Sequence, residues 1–249
     1  MQLVTHISQV PLKGDTNYYR NDEMLNYWIS KKVLYFIVIG DTFFLFRRDR
    51  DFYHLYYITK NISSLVWDLK HFISHYYSEI FVSDIIEQSH IPLFEIVGFK
   101  KYKSLERMRV VISGTFEVSE DVVFAKVGEA QVIFRMFENN FDKYAEQLPT
   151  IEELKIMIRN GEILVVRDKV IAGILIRSTR MSSILKHFLV DPTYRGQKIG
   201  SKLLNYYLNE SDVITLWVLS DNEKAISVYK HFGFKFDKLK DQVMICDRK

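Results

Sequence analysis

The chain of 249 residues has one cysteine, Cys246, and so cannot close an intrachain disulfide. A cross-linked fold is excluded, and a reducing compartment is expected. Glycine and proline are scarce, at 10 and 4, which excludes long flexible or proline-rich linkers. Neither sign of charge dominates: 34 Lys and Arg stand against 31 Asp and Glu, for a formal net charge of +3. The basic residues are dispersed among acidic ones, so the footprint of a nucleic-acid binder is missing. No apolar run is long enough to span a bilayer, and the N-terminus lacks the apolar core of a signal peptide. The expectation is a cytoplasmic protein with no nucleic-acid or membrane partner. What the chain does have is core material. Hydrophobic residues make up 48%, with 18 Phe and 15 Tyr, enough for one large domain or two small ones.

Periodicity predicts alternating strands and helices. In the first half a short helix around Trp28 precedes strands at Val33–Ile39, Thr42–Phe46 and Phe52–Ile58. A helix over Ser63–Tyr77, a strand at Ile80–Val82, a helix through Phe94 ending at Gly98 and a strand over Lys103–Ile112 follow. In the second half a strand at Val122–Val127 and a helix at Glu129–Phe137 come first. Thr150-Ile151-Glu152-Glu153 then reads as a capping box, and Asn160-Gly161 as the end of that helix. A hairpin about Asp168-Lys169 leads to a strand ending at Val190, and a last strand lies near Val243.

The most informative stretch follows that strand: Val190-Asp191-Pro192-Thr193-Tyr194-Arg195-Gly196-Gln197-Lys198-Ile199-Gly200. After it, Ile199, Leu203, Leu204, Tyr207 and Leu208 share one helical face. A strand, a glycine-containing basic loop and a helix start therefore occur in sequence. The first N–H groups of a helix have no intrahelical partner, and the helix dipole is positive there, so the loop is a candidate phosphate site. It is neither the nucleotide P-loop nor the dinucleotide fingerprint. A second block follows the apolar segment Ile214–Leu219: Asn222, Ala225, Tyr229, Gly233 and Phe234, spaced Asn-x-x-Ala-x-x-x-Tyr-x-x-x-Gly-Phe.

Together the two blocks resemble the GNAT superfamily of acetyl-CoA-dependent N-acetyltransferases, over the C-terminal half of the chain. The resemblance implies acetyl-CoA as co-substrate, no metal, and direct transfer of acetyl to a primary amine without an acyl-enzyme. It implies that Leu189 and Val190 meet the pantetheine arm, with the Val190 N–H polarising the thioester carbonyl. It places the pyrophosphate on the N–H groups of Arg195, Gly196, Gln197, Lys198, Ile199, Gly200 and Ser201. Asn222 would bind the pantetheine or adenosyl arm, and Tyr229 would act as general acid toward the leaving thiolate. Lys198 stands where the family keeps a glycine; a lysine there still donates its N–H provided φ stays negative.

The base is harder to find. Ile184-Leu185-Lys186-His187-Phe188-Leu189-Val190 contains no carboxylate. His187 is the nearest group with a useful pKa, but strand alternation turns it away from the Val190 side unless a bulge intervenes. Lys186 is a poor base unless desolvated, and could instead repel amines or pair with an acidic group on the substrate. A water chain would also serve.

The halves resemble each other. Phe94-Glu95-Ile96-Val97-Gly98-Phe99-Lys100 matches Tyr229-Lys230-His231-Phe232-Gly233-Phe234-Lys235, and the element order agrees. The fold expected is α/β (α+β): two tandem GNAT-like domains, each a mixed, mostly antiparallel twisted sheet flanked by helices. The domains are read as 1–115, a degenerate copy, and 116–249, the acetyltransferase. The first copy has no glycine in Thr59-Lys60-Asn61-Ile62-Ser63-Ser64, Phe94 in place of Tyr229 and Glu87 near the position of Asn222. The expected acceptor is a small-molecule or peptide amine. The expected assembly is a monomer whose tandem domains mimic a dimer, or a homodimer. A non-catalytic acyl-CoA-binding or sensing protein is the alternative.

Overall fold

The computed structural model describes residues 2–84, 86–178 and 183–247. By contacts the chain divides into two compact units, Met1–Leu105 with Lys240–Lys249, and Glu106–Leu239.

Unit 1 begins with β1 (Gln2–Leu3), β2 (Asp15–Thr16) and α1 (Asp22–Ser30), whose first turn is capped by the Asn21 side chain. Then come β3 (Leu34–Ile39), β4 (Thr42–Asp49), β5 (Phe52–Thr59), α2 (Leu65–His75), β6 (Phe81–Ser83) and α3 (Ile91–Ile96). Strands β3, β4 and β5 form an antiparallel meander, and β6 runs parallel to β5. Alternation splits the aromatic strands between two faces. Phe44, Phe46, Leu55 and Tyr57 pack with Leu69 and Phe72 of α2 and Phe94 of α3. Phe43, Leu45 and Tyr56 pack with Leu25 of α1 on the other.

The strand β7 (Lys100–Val111) starts in unit 1 and ends in unit 2. Unit 2 continues with β8 (Val122–Phe124), α4 (Ala130–Asn140), α5 (Ile151–Arg159), β9 (Ile163–Asp168), β10 (Val170–Ser178) and β11 (Ser183–Val190). It closes with α6 (Ile199–Leu208), β12 (Val213–Leu219), α7 (Glu223–His231) and the first part of β13 (Lys235–Cys246). The capping box is present: Thr150 Oγ1 accepts from Glu153 N–H at 3.3 Å, and the Glu153 carboxylate accepts from Thr150 N–H at 2.7 Å. One sheet face packs Leu164, Leu175 and Leu216 against Leu203, Leu204 and Tyr207 of α6. The other packs Val165, Ile174 and Leu189 against Ile133 and Phe137 of α4 and Leu154 of α5.

The internal repeat is real in topology. Strand order is β3-β4-β5-β6-β13 in unit 1 and β9-β10-β11-β12-β7 in reverse sense in unit 2. In each, a parallel step, β5–β6 or β11–β12, is bridged by a helix, α2 or α6. The repeat-based reading of 1–115 and 116–249 counts β7 with the first copy and β13 with the second. By contacts both strands are shared, because Glu106–Val111 lies in unit 2 and Lys240–Cys246 in unit 1. Among the described residues, no helix is long and apolar enough to cross a membrane.

Helix α6 lies close on β10. A Cβ on Gly173 would stand 2.6 Å from Ile199 Cγ2 and 3.0 Å from Leu203 Cδ1. Gly173→Val should therefore overpack this contact and cost about 1–3 kcal/mol. Thermal unfolding checks this; an unchanged melting temperature would mean that α6 can back away freely.

Candidate active site

All candidate residues lie in unit 2. The Asp191 N–H donates to Ala172 O at 3.0 Å, and Val190 opposes Gly173 in the β10–β11 ladder. Bonding alternates along an antiparallel ladder, so the main-chain groups of Phe188 and Val190 face the other edge of β11. On that edge β12 pairs, among the described residues, at Ser183–Ile214, Ile184–Thr215 and Leu185–Leu216. Beyond it the two strands part, and among the described residues no strand pairs with the edge of 186–190. A bulge helps them part: Ile176 opposes His187 while Arg177 opposes Leu185, so Lys186 is the extra residue.

Past the strand end, the Asp191 carboxylate caps a short turn by accepting from Thr193 N–H at 2.9 Å. The Thr193 hydroxyl and N–H hold that carboxyl below its usual range. Gly196 follows at φ +81°, and a Cβ there would meet nothing within 4 Å. The first backbone bond of α6 is Lys202 N–H to Lys198 O, at 3.0 Å. Among the described residues, the N–H groups of Gly196 through Ser201 make no hydrogen bond, and α6 has no side-chain cap. Helices α1, α5 and α7 each have one. Gly200 lets this end sit on β11, since a Cβ would stand 3.0 Å from Phe188 Cζ. Arg195 is exposed and donates Nε–H to Val190 O at 3.4 Å.

Lys198 corrects the expectation of negative φ. It sits at φ 59°, ψ 12°, in the left-handed region. An L side chain is strained there and glycine is not, which is the physical reason a glycine suits this position. Strain does not remove the donor: the Lys198 N–H is among the unpartnered groups.

Tyr229 is 6% exposed, with ring centres 6.2 Å from Phe188 and 5.7 Å from Phe234. Its hydroxyl has no hydrogen-bond partner among the described residues, unlike that of Tyr194, which donates to Asp168 O. Burial first, and the negative charge of Glu146 second, push its pKa well above the usual tyrosine range. It is a neutral phenol with its proton in place. The Asn222 Oδ1 is used as the cap of α7, accepting from Ala225 N–H at 3.1 Å.

His187 faces away from Val190, as alternation from the strand end requires; the bulge lies beyond it, at Lys186. It stacks on Phe137 at 5.3 Å and shares its Nε2 proton with Glu146 O at 2.9 Å. Burial first, and then the Lys186 charge, lower its pKa to about 4, against the opposing hydrogen bond to Glu146 O. A group so buried and neutral is a packing residue. Lys186 pairs within the chain, with Glu162 at 3.2 Å. Glu146, which sequence reasoning passed over, comes from the segment between α4 and α5; no local pattern marks it.

The lowered His187 pKa has a sign. The folded value, about 4, lies below the ordinary 6.5, so the unfolded chain binds the extra proton. Stability is full above pH 6.5 and falls toward pH 4, by at most about 3 kcal/mol. Urea midpoints between these pH values should show the decline in the wild type and a smaller one in His187→Phe. Equal slopes would remove His187 as its source.

Residues 159–236 match the family model described as Acetyltransferase (GNAT) domain. The C-terminal half resembles a GNAT domain over that span. Its matched span includes the strand β11, the loop to α6, and Tyr229. No curated protein matches the sequence. Among solved structures, a GCN5-related N-acetyltransferase from Sphaerobacter thermophilus superposes with a TM-score of 0.60 at 14% identity, covering 92% of this chain and 85% of its own. A GCN5-related N-acetyltransferase from Kribbella flavida gives 0.58 at 11% identity, covering 90% and 92%. A tandem GNAT protein from the clavulanic acid biosynthesis pathway gives 0.56 at 10% identity, covering 84% and 79%. At such identities the likeness is one of fold. It extends over both halves of the chain, and the fold around the GNAT domain is a tandem GNAT-like one.

Proposed function

We propose that the protein is an N-acetyltransferase that moves acetyl from acetyl-CoA to a primary amine by direct attack, with residues 116–249 as the active domain and 1–115 as a degenerate copy. One observation carries the reading. An edge of β11 that pairs with no strand among the described residues leads straight into a loop whose N–H groups, from Gly196 through Ser201, have no partner among those residues. Unpartnered N–H groups at a helix start favour phosphate oxygens. These residues suit the proposal: Leu189 and Val190 would offer strand edge to the pantetheine amides, Arg195 and Lys198 would add positive charge, and Asn222, at the start of α7, would meet the arm.

Acetyl-CoA supplies an activated thioester. The amine (lysine-like pKa about 10.4) must first lose a proton. Its nitrogen then bonds to the carbonyl carbon, and the developing oxyanion is met by the Val190 N–H. As the C–S bond breaks, the Tyr229 hydroxyl gives its proton to the thiolate (pKa about 8.5 for a cysteine-like thiol). A phenol pKa raised by burial keeps that proton available throughout the physiological range. The amine's proton is assigned to Glu146, directly or through water, because it is the acidic group whose charge reaches Tyr229. Glu146→Gln should lower kcat/KM by at least about tenfold and flatten its acidic limb; an unchanged pH profile would return the proton to bulk water.

The test of the reading is thiol release from acetyl-CoA with a panel of primary amines, alongside calorimetry with acetyl-CoA alone. Turnover on an amine supports it. The second reading, an acyl-CoA-binding or sensing protein, draws on β11 itself: it has no carboxylate, and its one histidine is locked in packing. Binding without turnover on any amine would favour that reading.

A further inference from the structure

The first copy repeats the geometry of the site with one difference. Tyr57 and Phe94 have ring centres 5.9 Å apart, as Phe188 and Tyr229 have at 6.2 Å, and Phe94 packs on Phe99 as Tyr229 packs on Phe234. Tyr57 therefore stands for Phe188, and Thr59 for Val190. The Lys60 N–H bonds Asp41 O on the β4 side, so alternation turns the main-chain groups of Leu55, Tyr57 and Thr59 to the opposite edge. There β6 pairs, among the described residues, at Tyr53–Phe81 and His54–Val82. The strands of this copy part as β11 and β12 do.

In unit 1 the opening is filled by the chain itself. Strand β2 pairs antiparallel with β5 through Asp15–Thr59 and Thr16–Ile58. The Thr16 hydroxyl donates to Tyr57 O. Asn17, 1% exposed, ties the two parted strands together. Its Oδ1 accepts from Tyr57 N–H at 2.8 Å, and its Nδ2 lies 3.3 Å from Leu55 O, 3.0 Å from Ser83 Oγ and 2.9 Å from Asp84 O. Gly14 makes the approach possible: at φ +145°, a Cβ would fall 2.7 Å from Thr59 O. The hydroxyl in this copy is on the strand residue, and Tyr57 OH is already bonded to His90 Nδ1 at 2.6 Å.

We propose that residues 14–17 are a built-in occupant of the strand gap in the first copy, making with β5 the main-chain bonds that a pantetheine arm would make with β11, so that the chain has one CoA site and not two. The inference rests on the reading of unit 2 as the CoA site. It adds that unit 1 is closed by a peptide, and not merely short of catalytic residues.

Amide exchange followed residue by residue by NMR on the full chain tests it. Without ligand, the Tyr57 and Thr59 amides should exchange at least about 100-fold more slowly than those of Phe188 and Val190, since buried bonded amides open rarely. Acetyl-CoA should leave residues 55–59 unchanged. Equal exchange rates without ligand, or new protection at 55–59 with acetyl-CoA, would overturn the proposal. Asn17→Ala should speed Tyr57 exchange by about tenfold or more, and Gly14→Val, which expels the segment by sterics, should do the same. Unchanged Tyr57 exchange in both folded variants would also overturn it. Failure of the CoA reading shows separately, as absent protection at 188–201, and leaves the Tyr57 comparison in the free protein to decide the occupancy.

Discussion

Tyr229→Phe is expected to lower kcat by about 100-fold or more, the usual range for loss of a positioned general acid. Little else should change. The Tyr229 hydroxyl makes no hydrogen bond among the described residues, so its removal leaves no partner stranded. The ring keeps its packing against Phe188 and Phe234. The first copy already shows that phenylalanine fits such a place, since Phe94 is fully buried there. Melting temperature and acetyl-CoA affinity should therefore stay near wild type. A fall in kcat with KM steady marks a group used only in the transition state. Steady-state kinetics with calorimetry on the same variant checks this, and undiminished turnover would remove Tyr229 as the acid.

Gly196→Val should weaken acetyl-CoA binding by about tenfold or more. At φ +81° the backbone is in a region that β-branched residues avoid. Holding a non-glycine residue there costs roughly 1–2 kcal/mol, and 1.4 kcal/mol corresponds to a factor of ten in affinity. If valine relaxes toward negative φ instead, the N–H groups of the loop no longer converge. The position is exposed and a Cβ meets no neighbour, so the fold should tolerate the change. Gly196→Ala should fall between the two. Calorimetry giving wild-type affinity for Gly196→Val would mean that the loop is not where the phosphates lie.

Much of the local fold around the candidate site is legible in the sequence. The apolar spacing of Ile199, Leu203, Leu204, Tyr207 and Leu208 encodes one face of α6, and all five are buried. The Thr150 capping box formed as its spacing requires. The facing of His187 followed from counting back from Val190, because the bulge at Lys186 falls on the far side of the count. Other features depend on tertiary placement. The left-handed Lys198 was not legible, since the residue type argues against that φ and only the turn into α6 imposes it. Glu146 carries no local signature; its segment is brought to His187 and Tyr229 by the packing of α4 and α5. Lys103–Ile112 and the segment near Val243 read correctly as strands, but no local pattern says which sheet a strand completes. Residues 14–17 are polar and nearly without periodicity, and their role depends on a gap made by strands far along the chain.

The most direct test of the central claim is amide exchange over residues 188–202 with and without saturating acetyl-CoA. An acetyl-CoA site here requires marked slowing at Val190 and at Gly196 through Ser201, the latter having no N–H partner among the described residues. Unchanged exchange across that segment at saturating ligand would contradict it.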